Sequence, residues 1–299
     1  MKHPFSAVLR VFLPILAFAL VLGPAFRGGN CPAGGVLPSA AGAEPEKGAV
    51  INILLIGQDG REPEKGARSD SMILCSFSED SGKLTLTSFL RDLYVTIPGH
   101  GKNRLNAAYA FGGRDLLMKT LERNFGVAVD GCVEVDFTCF PEIIDILGGV
   151  TIDLREDEAR FIGRETGTKL ASGEQTLSGR QALVYARIRK LDADGDFGRT
   201  RRQRKVLIAL LNSYRDAGLI KSLAMVKTLM PYVSTDMSRE NLTSHVKTML
   251  PALSGLRLSS QTVPAPGSYV CRKIDGMDVL VADLAAARKL LADFAGIEK

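Results

Sequence analysis

The sequence predicts an α/β chain: a three-layer α/β/α sandwich with a central mixed β-sheet, preceded by one N-terminal transmembrane helix. Three observations predict it. Residues 50–56 form a nearly continuous apolar run that ends on Gly57-Gln58-Asp59-Gly60, the pattern of a buried strand. Two more strand-like runs follow at turn-length spacing. From residue 106 onward, stretches of helical periodicity alternate with short strand-like runs, the order that stacks helices on a sheet.

The first element is apolar. Lys2 and Arg10 precede Val11-Phe12-Leu13, and the run from Phe5 to Phe26, with Arg10 able to snorkel, is long enough to span a bilayer. Positive charge at its start keeps the N-terminus cytoplasmic and exports the rest. The expected organisation is a short cytoplasmic N-terminus (1–10), a signal-anchor (11–26), a tether rich in Gly, Pro, Ala and Ser (27–49), and one extracytoplasmic domain (50–299). A cleaved signal peptide competes, because Ala41-Gly42-Ala43 fits a cleavage site, though about twenty residues past the apolar run.

Residues 50–56, 71–77 and 83–89 read as three strands. The second and third are separated by the turn Glu79-Asp80-Ser81-Gly82. If they form an antiparallel meander, the end of the first, the start of the second and the end of the third share one rim of the sheet. That rim gathers Asp59, Arg68, Asp70, Arg91 and Asp92. A helical region begins at 106–111, and a stronger helix over 114–125 stops at Gly126. Residues 132–137 are strand-like. A helix over 141–147 carries Pro141 in its first turn and ends at Gly148-Gly149, and 150–154 is another strand.

Ser178-Gly179-Arg180-Gln181 is a capping box opening a short helix through Val184. An extended 185–189 would set Tyr185, Arg187 and Arg189 on one face. Gly195-Asp196-Phe197-Gly198 reads as a loop before a long helix over 199–214. There Arg199, Gln203, Val206 and Leu210 form the inward stripe, while Arg201, Arg204 and Lys205 are solvated. Thr235-Asp236-Met237-Ser238 resembles the start of a helix over 241–253, and 282–294 is the last helix.

Bulk properties exclude several functions. A net charge of +5 over 299 residues is too small for a nucleic-acid face, but suits work near anionic lipid or polymer. His3, His100 and His245 have no metal-ligand spacing, which excludes a histidine-based zinc site. The five cysteines, Cys31, Cys75, Cys132, Cys139 and Cys271, are an odd number, so at least one is free after export, and Cys75 reads as a buried thiol. The chain has no G-x-S-x-G elbow, no phosphate-binding P-loop and no Cys-His pair.

What remains is acids and arginines. A single Arg-Asp pair at a strand end is ordinarily a surface ion pair, and Asp59 alone an ordinary turn residue. Their co-occurrence points elsewhere. Two acids at one rim suit a hard cation such as Mg²⁺, which takes carboxylate, phosphate and water oxygens. Arginines clamp phosphates and neutralise developing charge, so the chemistry indicated is phosphoryl transfer on a pyrophosphate without a covalent intermediate.

On these residues the chain resembles the LytR-CpsA-Psr proteins of bacterial cell envelopes. The resemblance rests on Asn52-Ile53-Leu54-Leu55-Ile56-Gly57-Gln58-Asp59, Arg68-Ser69-Asp70-Ser71-Met72, Ser88-Phe89-Leu90-Arg91-Asp92, Leu105-Asn106-Ala107-Ala108-Tyr109 and Asp145-Ile146-Leu147-Gly148-Gly149-Val150. It continues through Ala182-Leu183-Val184-Tyr185-Ala186-Arg187-Ile188-Arg189 and Gly195-Asp196-Phe197-Gly198-Arg199-Thr200-Arg201-Arg202-Gln203. Leu90 stands where the family often has Pro, and Arg104 where Lys is common.

The resemblance implies a Mg²⁺-dependent phosphotransferase (Mn²⁺ an alternative ion) at the cytoplasmic membrane. It would move a glycopolymer, such as a teichoic acid or capsule, from a polyprenyl-pyrophosphate carrier onto peptidoglycan through a phosphodiester, with an apolar tunnel for the lipid. By the same resemblance Asp59 and Asp70 would hold the metal, and Arg68, Arg91, Arg187, Arg189, Arg199 and Gln203 the phosphates. Arg91 and Arg189 would also act in catalysis. Asp196 would orient arginines, and Asp92 would do the same or serve as base for the acceptor hydroxyl. A lipid pyrophosphatase could use the same parts with water as acceptor. A membrane-bound transcriptional regulator is the third reading, disfavoured because about ten residues before the apolar run are too few for a DNA-binding element.

Overall fold

The computed structural model describes residues 50–58, 69–136, 139–215, 232–238, 241, 245, 256–292 and 294. The expected signal-anchor and tether, with Cys31, Asp59 and Arg68, lie outside the described residues. Among the described residues no helix is long and apolar enough to cross a membrane.

In chain order the strands and helices are β1 (Val50–Gln58), β2 (Ser69–Ser78), β3 (Lys83–Phe89), β4 (Tyr94–Ile97), β5 (Gly101–Arg104), α1 (Leu105–Phe125), β6 (Gly131–Asp136) and α2 (Phe140–Ile146). Then come β7 (Val150–Leu154), α3 (Glu156–Thr166), β8 (Gly173–Leu177), α4 (Gly179–Arg187), α5 (Asp196–Arg215) and β9 (Val233–Thr235). The chain closes with β10 (Arg257–Val263), β11 (Tyr269–Ile274), β12 (Met277–Ala282) and α6 (Leu284–Ala292). The described residues form two compact units. A sheet unit takes those up to Glu134, Thr235–Met237 and those from 256 on, and a helical unit takes the rest.

The expected meander is present: β1 pairs antiparallel with β2, and β2 with β3. The mixed sheet is present too, in the order β10-β3-β2-β1-β6-β9, with β10 parallel to β3. The register opposes Gln58 to Ser69, with an irregularity between Gly57 and Gln58, so the rim is where the ladder breaks. Ile51, Ile53, Met72, Leu74, Phe77, Leu84 and Leu86 are buried. Each such side chain contributes roughly 1.5–3 kcal/mol on leaving water. Helix α1 adds Leu117, Leu121 and Phe125, whose ring lies 5.2 Å from that of Phe89. It kinks at Gly112 and Gly113 and ends on Gly126 with φ 73°, as the Gly stop signal predicts. Buried Asn124 receives the Thr96 N–H and donates to the Thr96 and Thr120 carbonyls, tying α1 to β4.

The helical unit packs Ile144, Ile152, Leu154, Ile162, Leu177, Tyr185, Ile188 and Val206 into one core. The Ser178 capping box is formed: the Ser178 hydroxyl accepts from Gln181 N at 3.4 Å and the Gln181 side chain accepts from Ser178 N at 2.9 Å. Gly179 N–H donates to Asp145 Oδ1 at 2.7 Å. A Cβ on Gly179 would stand 1.9 Å from the Pro141 carbonyl oxygen, so glycine is required there by close approach of two backbones.

Five expectations need correction. Residues 185–187 are not extended, because α4 continues to Arg187 and breaks only at Ile188. The buried positions 182, 185 and 186 follow helical spacing. Asp196 lies in the first turn of α5 rather than in a loop. Arg204 is buried, not solvated. Thr235-Asp236 is no helix start, since the Thr235 hydroxyl donates to the Cys132 carbonyl and Asp236 accepts the Cys132 N–H. The cap falls on Ser238, whose hydroxyl accepts from Asn241 N; the expected helix beyond lies mostly outside the described residues. The last helix starts at Leu284, capped by Asp283, because Ala282 ends β12.

Among the described residues Cys75, Cys132 and Cys271 are free thiols. Burial alone pushes the Cys75 thiol up to about 12, and Cys132 also rises, by burial and then by the Asp236 charge. Only a thiolate attacks readily. Alkylation of native protein near pH 8, followed by peptide mapping, should therefore label exposed Cys271 first and leave Cys75 and Cys132 unlabelled until denaturation. Equal labelling of Cys75 and Cys271 would contradict the packing of β2.

Candidate functional site

At the rim of the sheet unit, Arg91 Nη1 donates to Asp70 Oδ1 at 2.6 Å. Arg91 Nε lies 3.6 Å from Asp92 Oδ2, and Arg104 Nε lies 3.6 Å from Asp92 Oδ1. The result is an alternating row, Asp70–Arg91–Asp92–Arg104, with every side chain about one quarter exposed. The backbone holds it from several sides. Leu90 N–H donates to the Val263 carbonyl, Asn106 N–H to the Arg91 carbonyl, and Leu280 N–H to the Asp92 carbonyl. Arg104, noted in the sequence only as a family departure, closes the row.

A second array sits at the end of β1. Tyr109 Oη donates to Gln58 Oε1 at 3.0 Å and reaches Glu134 Oε2 at 3.4 Å, while Arg114 Nη1 lies 3.8 Å from Glu134 Oε1. Burial raises the Glu134 carboxyl above the usual range despite Arg114, and burial with the Glu134 charge raises Tyr109. Gln58 immediately precedes Asp59 in sequence.

In the helical unit, Arg187 and Arg189 are exposed on either side of buried Ile188. Arg189 Nε lies 3.8 Å from Asp196 Oδ1, and Arg199 Nη2 donates to Asp196 Oδ2 at 2.8 Å. The Arg199 side chain is only 3% exposed, and Gln203, one turn later, is half-buried. Asp196 thus stands between two arginines, as Asp92 does in the sheet unit.

Behind this group lies a buried ionic core that the sequence reading did not single out. Arg202 Nε donates to Glu158 Oε1 at 2.8 Å, its Nη1 donates to the Ile188 carbonyl at 3.3 Å, and that nitrogen pairs with Asp192 Oδ2 at 2.5 Å. Arg155 Nη1 donates to Asp192 Oδ1 at 3.0 Å. Burial works against ionised Asp192, but Arg202 and Arg155 outweigh it and hold its carboxyl below the ordinary range. Arg204 is held down to about 10, by burial and then by repulsion from Arg201. Helical spacing carries the missed signal: Arg202 lies three residues after Arg199 and four before Val206, on the same inward stripe.

Of the expected site residues, the structure joins Asp70, Arg91 and Asp92 in one unit, and Arg189, Asp196 and Arg199 in the other. Arg187 and Gln203 flank the second group, while Asp59 and Arg68 lie outside the described residues. In the helical unit Arg189 and Arg199 both reach the carboxylate of Asp196. In the sheet unit Asp70 gives Oδ1 to Arg91. Among the described residues no cluster of three or more His, Cys, Asp or Glu side chains forms. A magnesium ion asks less than that, one or two carboxylates beside phosphate oxygens and water; Asp70 is one such carboxylate, and Asp59, expected as the other, lies outside the described residues.

The LytR_cpsA_psr family matches residues 38–293 of the chain. The polyisoprenyl-teichoic acid–peptidoglycan teichoic acid transferase TagU of Oceanobacillus iheyensis is 37% identical over 229 residues, covering 74% of this chain and 68% of TagU. The regulatory protein MsrR of Staphylococcus aureus is 35% identical over 227 residues, covering 73% of this chain and 66% of MsrR. The matched segment therefore spans about two thirds of these relatives' length. Among solved structures, Bacillus subtilis TagT bound to LIIa-WTA superposes with a TM-score of 0.69 at 28% identity, over 88% of this chain and 96% of TagT. TagT with bound octaprenyl pyrophosphate lipid superposes at 0.65 and 27%, over the same shares.

Proposed function

We propose that this chain, which belongs to the LytR-CpsA-Psr family, transfers a glycopolymer from a polyprenyl-pyrophosphate carrier onto peptidoglycan. The acceptor hydroxyl oxygen attacks the phosphorus nearest the sugar, the bridging P–O bond to the second phosphate breaks, and polyprenyl phosphate leaves. The new linkage is a phosphodiester. One observation carries this reading: in each unit an aspartate is held between two arginines, Asp92 by Arg91 and Arg104, Asp196 by Arg189 and Arg199. Fixed guanidinium groups of this kind read phosphate oxygens and need no reorganisation as charge builds up on them. The likeness to transferases that act on polyisoprenyl-linked teichoic acid, and to TagT with bound octaprenyl pyrophosphate, supports the same substrate class.

Arg68, Arg91, Arg187, Arg189, Arg199 and Gln203 are assigned to the pyrophosphate, with Asp196 orienting Arg189 and Arg199. Asp59 and Asp70 would hold Mg²⁺ (or Mn²⁺), which when bound supplies neutralisation of the pyrophosphate charge. Asp92 orients Arg91 and Arg104, or serves as the base that takes the proton of the acceptor hydroxyl. The apolar segment 11–26 anchors the chain in the cytoplasmic membrane with residues 50–299 on the extracytoplasmic face, near a lipid-linked donor. The helices and central sheet are read as a three-layer sandwich.

The test is product analysis. The full chain in detergent is incubated with a polyprenyl-pyrophosphate-linked oligosaccharide, Mg²⁺ and uncrosslinked peptidoglycan, and the products are weighed by mass spectrometry. Sugar phosphate attached to glycan is the expected result. Free sugar phosphate with no attachment, across varied acceptors, would replace the transferase by a lipid pyrophosphatase.

A further inference from the structure

We propose that Arg202 and Asp192 are positioning residues: a buried clamp that sets the aim of Arg189 and Asp196 without touching substrate. The proposal rests on the reading of Arg189 as a pyrophosphate-binding group that Asp196 orients. The segment 188–198 carries both, and one guanidinium ties it down at its start and near its middle. Arg202 donates to the Ile188 carbonyl, the residue before Arg189, and pairs with Asp192, three residues after it. Asp192 is itself fixed on both oxygens, Oδ2 by Arg202 and Oδ1 by Arg155. The Asp192 carbonyl accepts the Gly195 N–H at 3.3 Å, which carries the anchor on to Asp196.

The chain makes room for this clamp. A Cβ on Gly198 would stand 2.2 Å from Asp192 Oδ2, so the carboxylate seats against the first turn of α5 only because residue 198 is glycine. Arg202 is 4% exposed and Asp192 8%, which keeps both away from a ligand, whereas Arg189 is 44% exposed. Glu158 Oε1 holds the remaining side of Arg202, so the guanidinium is neutralised from two directions and cannot swing. An arginine on a short segment is a poor bidentate donor if the segment wanders, because the fork must be held in plane with the phosphate oxygens.

The experiment is a double-mutant cycle on the full chain, read by calorimetric titration with inorganic pyrophosphate. Wild type, Asp192→Asn, Arg189→Ala and the double variant are compared, with thermal unfolding run on each. Asp192→Asn should weaken pyrophosphate binding about tenfold, and it should add little once Arg189 is gone, because residues acting through one another are not additive. A purely structural role would lower the melting temperature and leave pyrophosphate affinity unchanged, or give additive losses; either overturns the proposal. If Asp192→Asn does not fold, Gly198→Ala displaces the same carboxylate without removing it, and the same non-additivity is required of it. Wild type that ignores pyrophosphate, with Arg189→Ala indistinguishable from it, would overturn the pyrophosphate reading and the clamp with it. Loss in Arg189→Ala alone, with Asp192→Asn and Gly198→Ala binding as wild type, would overturn only the clamp.

Discussion

Asp70→Ala is expected to abolish Mg²⁺-dependent turnover while leaving the fold intact. The expected loss in kcat is on the order of 10²–10³-fold, the scale seen when one fixed electrostatic group at a developing charge is removed. The stability cost should be small. The Arg91–Asp70 pair is about one quarter exposed on both sides, and such pairs contribute roughly 0.2–1 kcal/mol. Arg91 is not stranded by the substitution, because Asp92 remains 3.6 Å from its Nε. The measurement is the product assay over a range of Mg²⁺ concentrations, with circular dichroism on the same sample. Turnover equal to wild type at limiting Mg²⁺ would remove Asp70 from the metal and leave it as a partner of Arg91 only.

The rim that carries Asp70 was legible in the sequence because its cause is local. An apolar run, a turn and an alternating run fix an antiparallel meander, and the meander alone brings the end of β1 beside the start of β2. The ends of helices were legible where a cap residue wrote them, at Ser178 and at Gly126. What stayed hidden depends on distant partners. Helix α3 is mostly charged and buries only Glu158, Ala159 and Ile162, so no apolar stripe announces it. Strand β8 buries Leu177 alone, which gives no alternation to read. The alternation of Tyr185, Arg187 and Arg189 mimicked a strand, but burial at 182, 185 and 186 is helical and the chain only breaks at Ile188. The sequence names no partner for Arg202, because its acid, Glu158, lies 44 positions earlier. A charged residue goes inside only when such a partner is waiting, and spacing, which sets Arg202 on the inward stripe, does not say which partner that is. The site half-read from motifs therefore lacked the parts that aim it.

Glu158→Ala should be the most destabilising single change in the helical unit, by about 3 kcal/mol, because it removes one of the two carboxylates that neutralise a buried guanidinium. Glu158 is 3% exposed and does two jobs. Its Oε1 accepts Arg202 Nε at 2.8 Å, and its Oε2 accepts the Arg155 N–H at 3.1 Å at the start of α3. Removing it leaves Arg202 with Asp192 and one carbonyl, and uncaps the helix as well. A melting temperature lower by on the order of 10 °C is expected for a unit of this size. The comparison that isolates the cause is Glu158→Leu with Arg202→Leu together. That pair removes both ions, fills the space with apolar volume, and leaves Asp192 its 3.0 Å bond from Arg155. The double variant should therefore be more stable than Glu158→Ala alone, since a buried pair costs more to break than to replace. Pyrophosphate binding should separate from stability in the same protein: the double variant regains melting temperature but not affinity, because an apolar core cannot hold the Ile188 carbonyl and Asp192 in register. A double variant less stable than the single one would show that the charges, not their solitude, hold the unit together.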